Sequence, residues 1–71
     1  MFIIFSQEAF EELKGKYGKF SELNPMPLEN GIEYAVGSEV LEDENFASIK
    51  NELLQLPQRE LTKNDFKRLN H

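Results

Sequence analysis

The chain has no cysteine, and its single histidine is the last residue, His71. Without thiols there is no disulfide framework, no thiolate metal site and no thiol nucleophile, so the core must be held by packing alone, as suits a reducing cytoplasm. Without a second imidazole, no Ser-His-Asp or Cys-His arrangement can be assembled around Ser6, Ser21, Ser38 or Ser48 unless the fraying terminus contributes. Glycine is scarce too, and Gly15, Gly18, Gly31 and Gly37 match neither the dinucleotide nor the Walker phosphate-loop spacing. Long apolar runs are missing. Met1 to Phe5 is too short for a signal-peptide core and has no basic residue ahead of it, and no later run approaches membrane-spanning length. These absences predict a cytoplasmic, noncatalytic protein without cofactor or metal and without membrane association.

What is present is the balance of a folded protein, with 30% charged and 39% hydrophobic residues in 71 positions. That length predicts a single domain over residues 1–71, near the size where burial only just outweighs conformational entropy. The net charge of −5 is unevenly placed. Residues 1–58 hold eleven carboxylates against Lys14, Lys16, Lys19 and Lys50, whereas residues 59–71 hold Arg59, Lys63, Lys67 and Arg68 against Glu60 and Asp65. An acidic body with a small basic tip argues against nucleic acid as a ligand, because phosphate binding needs clustered Lys and Arg.

Three times an apolar residue is followed five places later by Phe and three places after that by another apolar residue: Phe5, Phe10, Leu13; Leu41, Phe46, Ile49; Leu61, Phe66, Leu69. Ser6 and Thr62 are good N-caps just after the first member of two copies, so Phe5 with Phe10 and Leu61 with Phe66 can close as hydrophobic staples. The offsets between copies are unequal, so the pattern is a local device for entering helices and not a solenoid repeat.

Phe2 to Phe5 reads as a buried, central strand, and the positions Phe10, Leu13 and Tyr17 read as one face of a helix from Gln7. Gly18 is the expected C′ residue of that helix, and Gly15 within it suggests close packing or early fraying. Pro25 and Pro27 exclude helix, and Asn30-Gly31 signals a type I′ hairpin with arms at about Met26 to Glu29 and Ile32 to Val36. Pro27 places the first arm at a sheet edge, and Phe20 with Leu23 is expected to pack beneath the connection. The acidic stretch Glu39 to Glu44 leads into a second helix with Phe46, Ile49, Leu53 and Leu56 on one stripe, ended by Pro57. Gln58 to Leu61 is a strand candidate, and Thr62 with Asp65 opens a last short helix. The fold class is α+β, in the order β-α-β-β-α-β-α, with a short mixed or antiparallel sheet and helices mainly on one face. The first strand is apolar on both sides, so its second face needs a cover: the last helix, the loop around Phe20 and Leu23, or another copy of the chain.

Chemistry-bearing groups are few. Glu39, Glu42, Asp43 and Glu44 could ligate Ca²⁺ or engage a basic partner, but the calcium-loop spacing is absent and a charge run favourable to the following helix dipole explains them as well. Glu8 and Glu12 share a helix face, where solvated surface is the simpler reading than an acid–base pair. Tyr17, Phe20, Met26, Leu28 and Tyr34 are the apolar residues least bound to the core, and with Glu39, Glu42, Asp43 and Glu44 they form the candidate partner-contact set. The first functional expectation is a protein-binding module, a small accessory protein or inhibitor. The second is a self-associating structural subunit, a homo-oligomer within a larger, phage-like assembly.

Overall fold

The computed structural model describes residues 1–63 and 65. The chain folds as a small α+β unit around a four-stranded, wholly antiparallel sheet. The strands are β1 (Phe2–Ser6), β2 (Met26–Pro27), β3 (Glu33–Gly37) and β4 (Gln58–Arg59), and the helices are α1 (Gln7–Lys16) and α2 (Lys50–Leu54). Across the sheet the order is β2-β3-β1-β4, so the N-terminal strand lies inside as its apolar sequence predicts. It pairs along its whole length with β3, Phe2 opposite Gly37 through Ser6 opposite Glu33, and at its start with β4. The expected last helix falls largely on residues outside those described, as does the Leu61–Phe66 staple.

The entry to α1 follows the sequence signal closely. Ser6 is extended and its hydroxyl accepts from the Ala9 N–H at 3.0 Å, which satisfies one of the donors a helix start leaves open. Phe5 and Phe10 close the staple with ring centroids 5.4 Å apart, and Tyr34 of β3 stands 5.4 Å from Phe10 in an edge-on arrangement. The exit differs from expectation. The helix ends when Tyr17 turns extended while its N–H still reaches the Leu13 carbonyl at 2.8 Å, and Gly18, whose φ is not positive, starts a 3₁₀ segment (Gly18–Glu22) that the sequence reading did not foresee. Gly15 faces open space and so marks no close packing.

That 3₁₀ segment carries Phe20 into the main core, where it is fully buried with Leu23 beside it, and not merely beneath the hairpin. The hairpin itself forms, with Pro27 on the edge strand, but its turn is not type I′, because Asn30 lacks the required positive φ. Instead the Gly31 N–H closes on the Leu28 carbonyl at 3.0 Å, Gly31 takes φ 76°, and the Asn30 carboxamide accepts from Ile32 and Glu33 at 2.9 and 3.0 Å. Ile32 is left outside the strand, 64% exposed.

The second helical region is also broken up. Ser38–Glu42 and Glu44–Ile49 are 3₁₀ turns, separated by an extended Asp43, and only Lys50–Leu54 is α-helical. Spacing accounts for this: Phe46 and Ile49 are three apart and align on a 3₁₀ turn, whereas Ile49 and Leu53 are four apart and align on an α-turn. Ile49 and Leu53 are buried, and Phe46 and Leu56 pack at their margins.

The sheet separates two cores. Ile3 and Phe5 face the helical side with Phe10, Phe20, Leu23, Val40, Ile49 and Leu53. Ile4 and Ala35 face the other side, where Leu28, only 1% exposed, seals them, with Phe2, Met26 and Leu61 at the margin. The second face of β1 is thus covered by the hairpin and by the segment after β4, while Phe20 and Leu23 belong to the first core. Burying side chains the size of Ile3, Phe20 or Leu28 contributes about 1.5–3 kcal/mol each before conformational entropy is set against it.

Replacing Ser6 with Ala removes the cap and is expected to lower unfolding free energy by about 1 kcal/mol. Phe20→Ala is expected to cost about 3–5 kcal/mol. Urea unfolding followed by circular dichroism checks both, and a Phe20→Ala midpoint equal to wild type would contradict the placement of this ring.

Candidate functional site

The surface groups with most capacity for interaction are gathered by the turn that leaves β3. The Ser38 N–H is held by the Met1 carbonyl at 3.1 Å, which swings the chain across the end of the sheet. The following 3₁₀ turn buries Val40 in the core and so turns Glu39 and Glu42 outward. The Glu39 carboxylate folds back over Gly37 into the space a Cβ would fill. Asp43 then caps the next turn, its carboxylate accepting from the Asn45 N–H at 2.9 Å, and Glu44 sits in that turn's first positions. The dipole and capping role expected for the acidic run falls to Asp43 and Glu44 at the second turn, and Glu39 stands in the first turn of Ser38–Glu42; of the run, Glu39 and Glu42 face the groove.

Those two carboxylates line an open groove of about 510 Å³, together with Ser38, Leu41, Lys50 of α2 and Gln58 of β4. Its walls come from three successive elements, the turn after β3, α2 and β4, which meet only through tertiary packing and so are not read from local sequence; only the strand signal at Gln58 hinted at its place. A second, smaller hollow of about 340 Å³ is formed by Ser6, Gln7, Glu8 and Ile32.

Ion pairs elsewhere neutralise part of the acidic surface. Lys14 pairs with Glu11 at 3.0 Å, Lys16 with Glu12 at 3.7 Å, Lys19 with Glu22 at 3.2 Å, and the N-terminal ammonium with Glu60 at 3.4 Å. Among the described residues, none of Glu39, Glu42, Asp43 and Glu44 has such an ion pair. Exposed pairs of this kind add little stability, but they cancel local field, so the negative potential persists where they are missing. Among the described residues no group of three or more potential ligands is placed to hold a metal ion.

The other candidate contact residues do not join this site. Phe20 is wholly buried and Leu28 almost so, since each is the large side chain that fills one of the two cores; neither offers a contact surface. Tyr34 is half-buried in the aromatic triad with Phe5 and Phe10, and Met26 is half-buried across the sheet from it. Tyr17 is 37% exposed at the end of α1, with its ring 6.2 Å from that of Phe20. Glu8 and Glu12 are exposed, and the latter is engaged by Lys16, so they form no isolated carboxylate pair. The Ser6 hydroxyl is occupied as a cap and that of Ser21 donates to the Gly18 carbonyl at 2.8 Å.

On the far face of β4 the charges are matched. Arg59 makes a two-pronged contact with Asp65, 3.1 Å at each prong, and the same carboxylate accepts from the Thr62 N–H at 2.7 Å, the reciprocal half of a capping box supplied by Asp in place of Glu. The Asp65 carbonyl accepts from the Glu29 N–H at 3.0 Å, tying the segment to the hairpin that covers the second core. The Arg59 hydrogen bonds, then the Thr62 N–H, hold the Asp65 carboxyl down at about 2, and the Arg59 guanidinium is raised by the same partner.

Comparison with known proteins gives no match to any family model, any curated protein or any solved structure. No helix among the described residues is long and apolar enough to cross a membrane.

Because the folded-state pKa of Asp65 lies below its value of 3.8 in an unfolded chain, the stability it contributes is complete above pH ~4 and is lost as pH falls through about 2. Asp65→Asn is expected to remove this part of the acid dependence. Unfolding midpoints of both proteins between pH 2 and about 6 check it, and superimposable pH profiles would contradict the pairing.

Proposed function

We propose that this chain is a noncatalytic protein-binding module whose contact surface is the acidic shoulder formed by Glu39, Glu42, Asp43 and Glu44. The observation that carries this reading is the distribution of ion pairs: cations on α1 and the following turn neutralise their own neighbours, and the shoulder is left with four exposed carboxylates beside an open groove. Such a field accelerates encounter with a basic protein surface and suppresses acidic competitors. Leu41 on the groove wall supplies apolar area, so the contact need not rest on charge alone. Engagement of the Ser6 and Ser21 hydroxyls in local backbone bonds fits a binding role better than nucleophilic chemistry at those residues.

The test compares tagged wild-type chain with a variant carrying Glu39→Gln, Glu42→Gln, Asp43→Asn and Glu44→Gln in affinity capture from source-cell lysate. Asn retains the capping geometry at residue 43, and exposed Glu→Gln changes are worth about ±0.5 kcal/mol each, so the variant should stay folded. A protein retained by wild type at low salt, and lost both at high salt and from the variant, is the expected result. Equal capture by both chains, or capture of nothing by either, would contradict the proposal.

A further inference from the structure

We infer that the groove takes an extended, Lys- or Arg-bearing segment of a partner protein as an added strand on the outer edge of β4; this rests on the protein-binding reading above. Hydrogen-bond alternation carries the inference. In an antiparallel ladder, pairs that exchange backbone bonds alternate with pairs that do not. The Ile4 N–H donates to the Pro57 carbonyl at 2.8 Å, which makes that a bonded pair. Two residues on, Phe2 opposite Arg59 is bonded again, and Ile3 opposite Gln58 is the non-bonded pair between them. The peptide N–H and C=O of Gln58 therefore point away from β1, at an edge where no further strand lies among the described residues.

The other edge of the sheet shows the contrast. There the Leu28 N–H donates to the Glu33 carbonyl at 2.9 Å, so Met26 faces β3 and Pro27 faces outward. Proline has no N–H to offer, and that edge is closed to strand pairing. Among the described residues, only the β4 edge presents both a donor and an acceptor, and it is the one that borders the groove.

Charge decides what the added strand must carry. Gln58 lines the groove with Glu39 and Glu42, while Lys50 stands on the same wall, so the groove holds two carboxylates against one ammonium. Alternate residues of an added strand lie roughly 6.6–6.8 Å apart on one face, so one side chain at a time enters beside these carboxylates. A Lys or Arg there meets the carboxylates with its head and lays its aliphatic stem along Leu41. An acidic side chain would be repelled. Backbone pairing provides the register and the basic residue the selectivity.

The test is an amide NMR titration of the full chain with an acetylated, amidated peptide of sequence Thr-Val-Thr-Lys-Thr-Val-Thr. Three further peptides are compared with it: one with Glu in place of Lys, and two N-methylated on alternate residues, so that one of them must lose the donor aimed at Gln58. The Lys peptide is expected to shift the amides of Gln58 and of Ser38 to Glu42, the Glu peptide to leave them unmoved, and one N-methylated peptide to bind roughly tenfold more weakly than the other. Glu39→Gln with Glu42→Gln should weaken the Lys peptide by a similar factor. Equal binding of both N-methylated peptides, or no shift at Gln58, would overturn strand addition. If the lysate partner still depends on the acidic shoulder in that case, the protein-binding reading survives and only the strand-addition inference falls.

Discussion

The structure depends on one strand that is apolar on both faces and hydrogen-bonded on both edges. β1 places Ile3 and Phe5 against the helical side and Ile4 against the other, so a short chain has to provide two covers for one strand. Sheets buried on both faces are usual in larger α/β proteins, where helices flank each side. Here the second cover over Ile4 and its strand partner Ala35 is made from smaller parts: Leu28 at the turn of the hairpin, with Met26 and, after β4, Leu61 at the margin. The Arg59–Asp65 contact and the bond from Glu29 to the Asp65 carbonyl fasten that cover to the sheet.

The same constraint shapes the surface. To bring β4 beside β1, the chain must cross from the far end of β3 over the helical core, and it does so in short 3₁₀ turns with Val40 and Ile49 buried beneath. Tight turns bury few of their residues, so much of the crossing is turned outward, and in this sequence the outward positions of its first half, Glu39, Glu42, Asp43 and Glu44, are acidic. The groove between Glu39, Glu42 and Gln58 is a by-product of that crossing, and its charge is the part that packing does not require.

Much of this was legible in the residues. The N-cap at Ser6, the staple of Phe5 and Phe10, the inner position of the first strand and the edge position of Pro27 each rest on local chemistry with one strong outcome. The helix expected across Phe46 to Leu56 was only partly so, because three-residue and four-residue spacings alternate there and the three-residue steps wind as 3₁₀. Phe20 and Leu28 looked like surface candidates because each lies in an irregular, Pro- or Gly-bounded stretch, and nothing local told which core each would fill. Of the candidate site, the four carboxylates were visible in sequence, but the groove was not. It needs Lys50 and Gln58 brought beside Ser38 and Leu41 by tertiary contacts.

The central claim, that β1 is the element on which the rest is built, is tested most directly by native-state hydrogen exchange. With its inner amides bonded to both neighbouring strands and its side chains buried on both faces, β1 should open only on global unfolding. The account predicts that Ile3, Ile4 and Phe5 are the slowest amides in the protein and exchange with a common free energy equal to that of denaturant unfolding. Faster exchange at these three than in α1 or α2 would contradict it, and would place the stable centre in the helical layer alone.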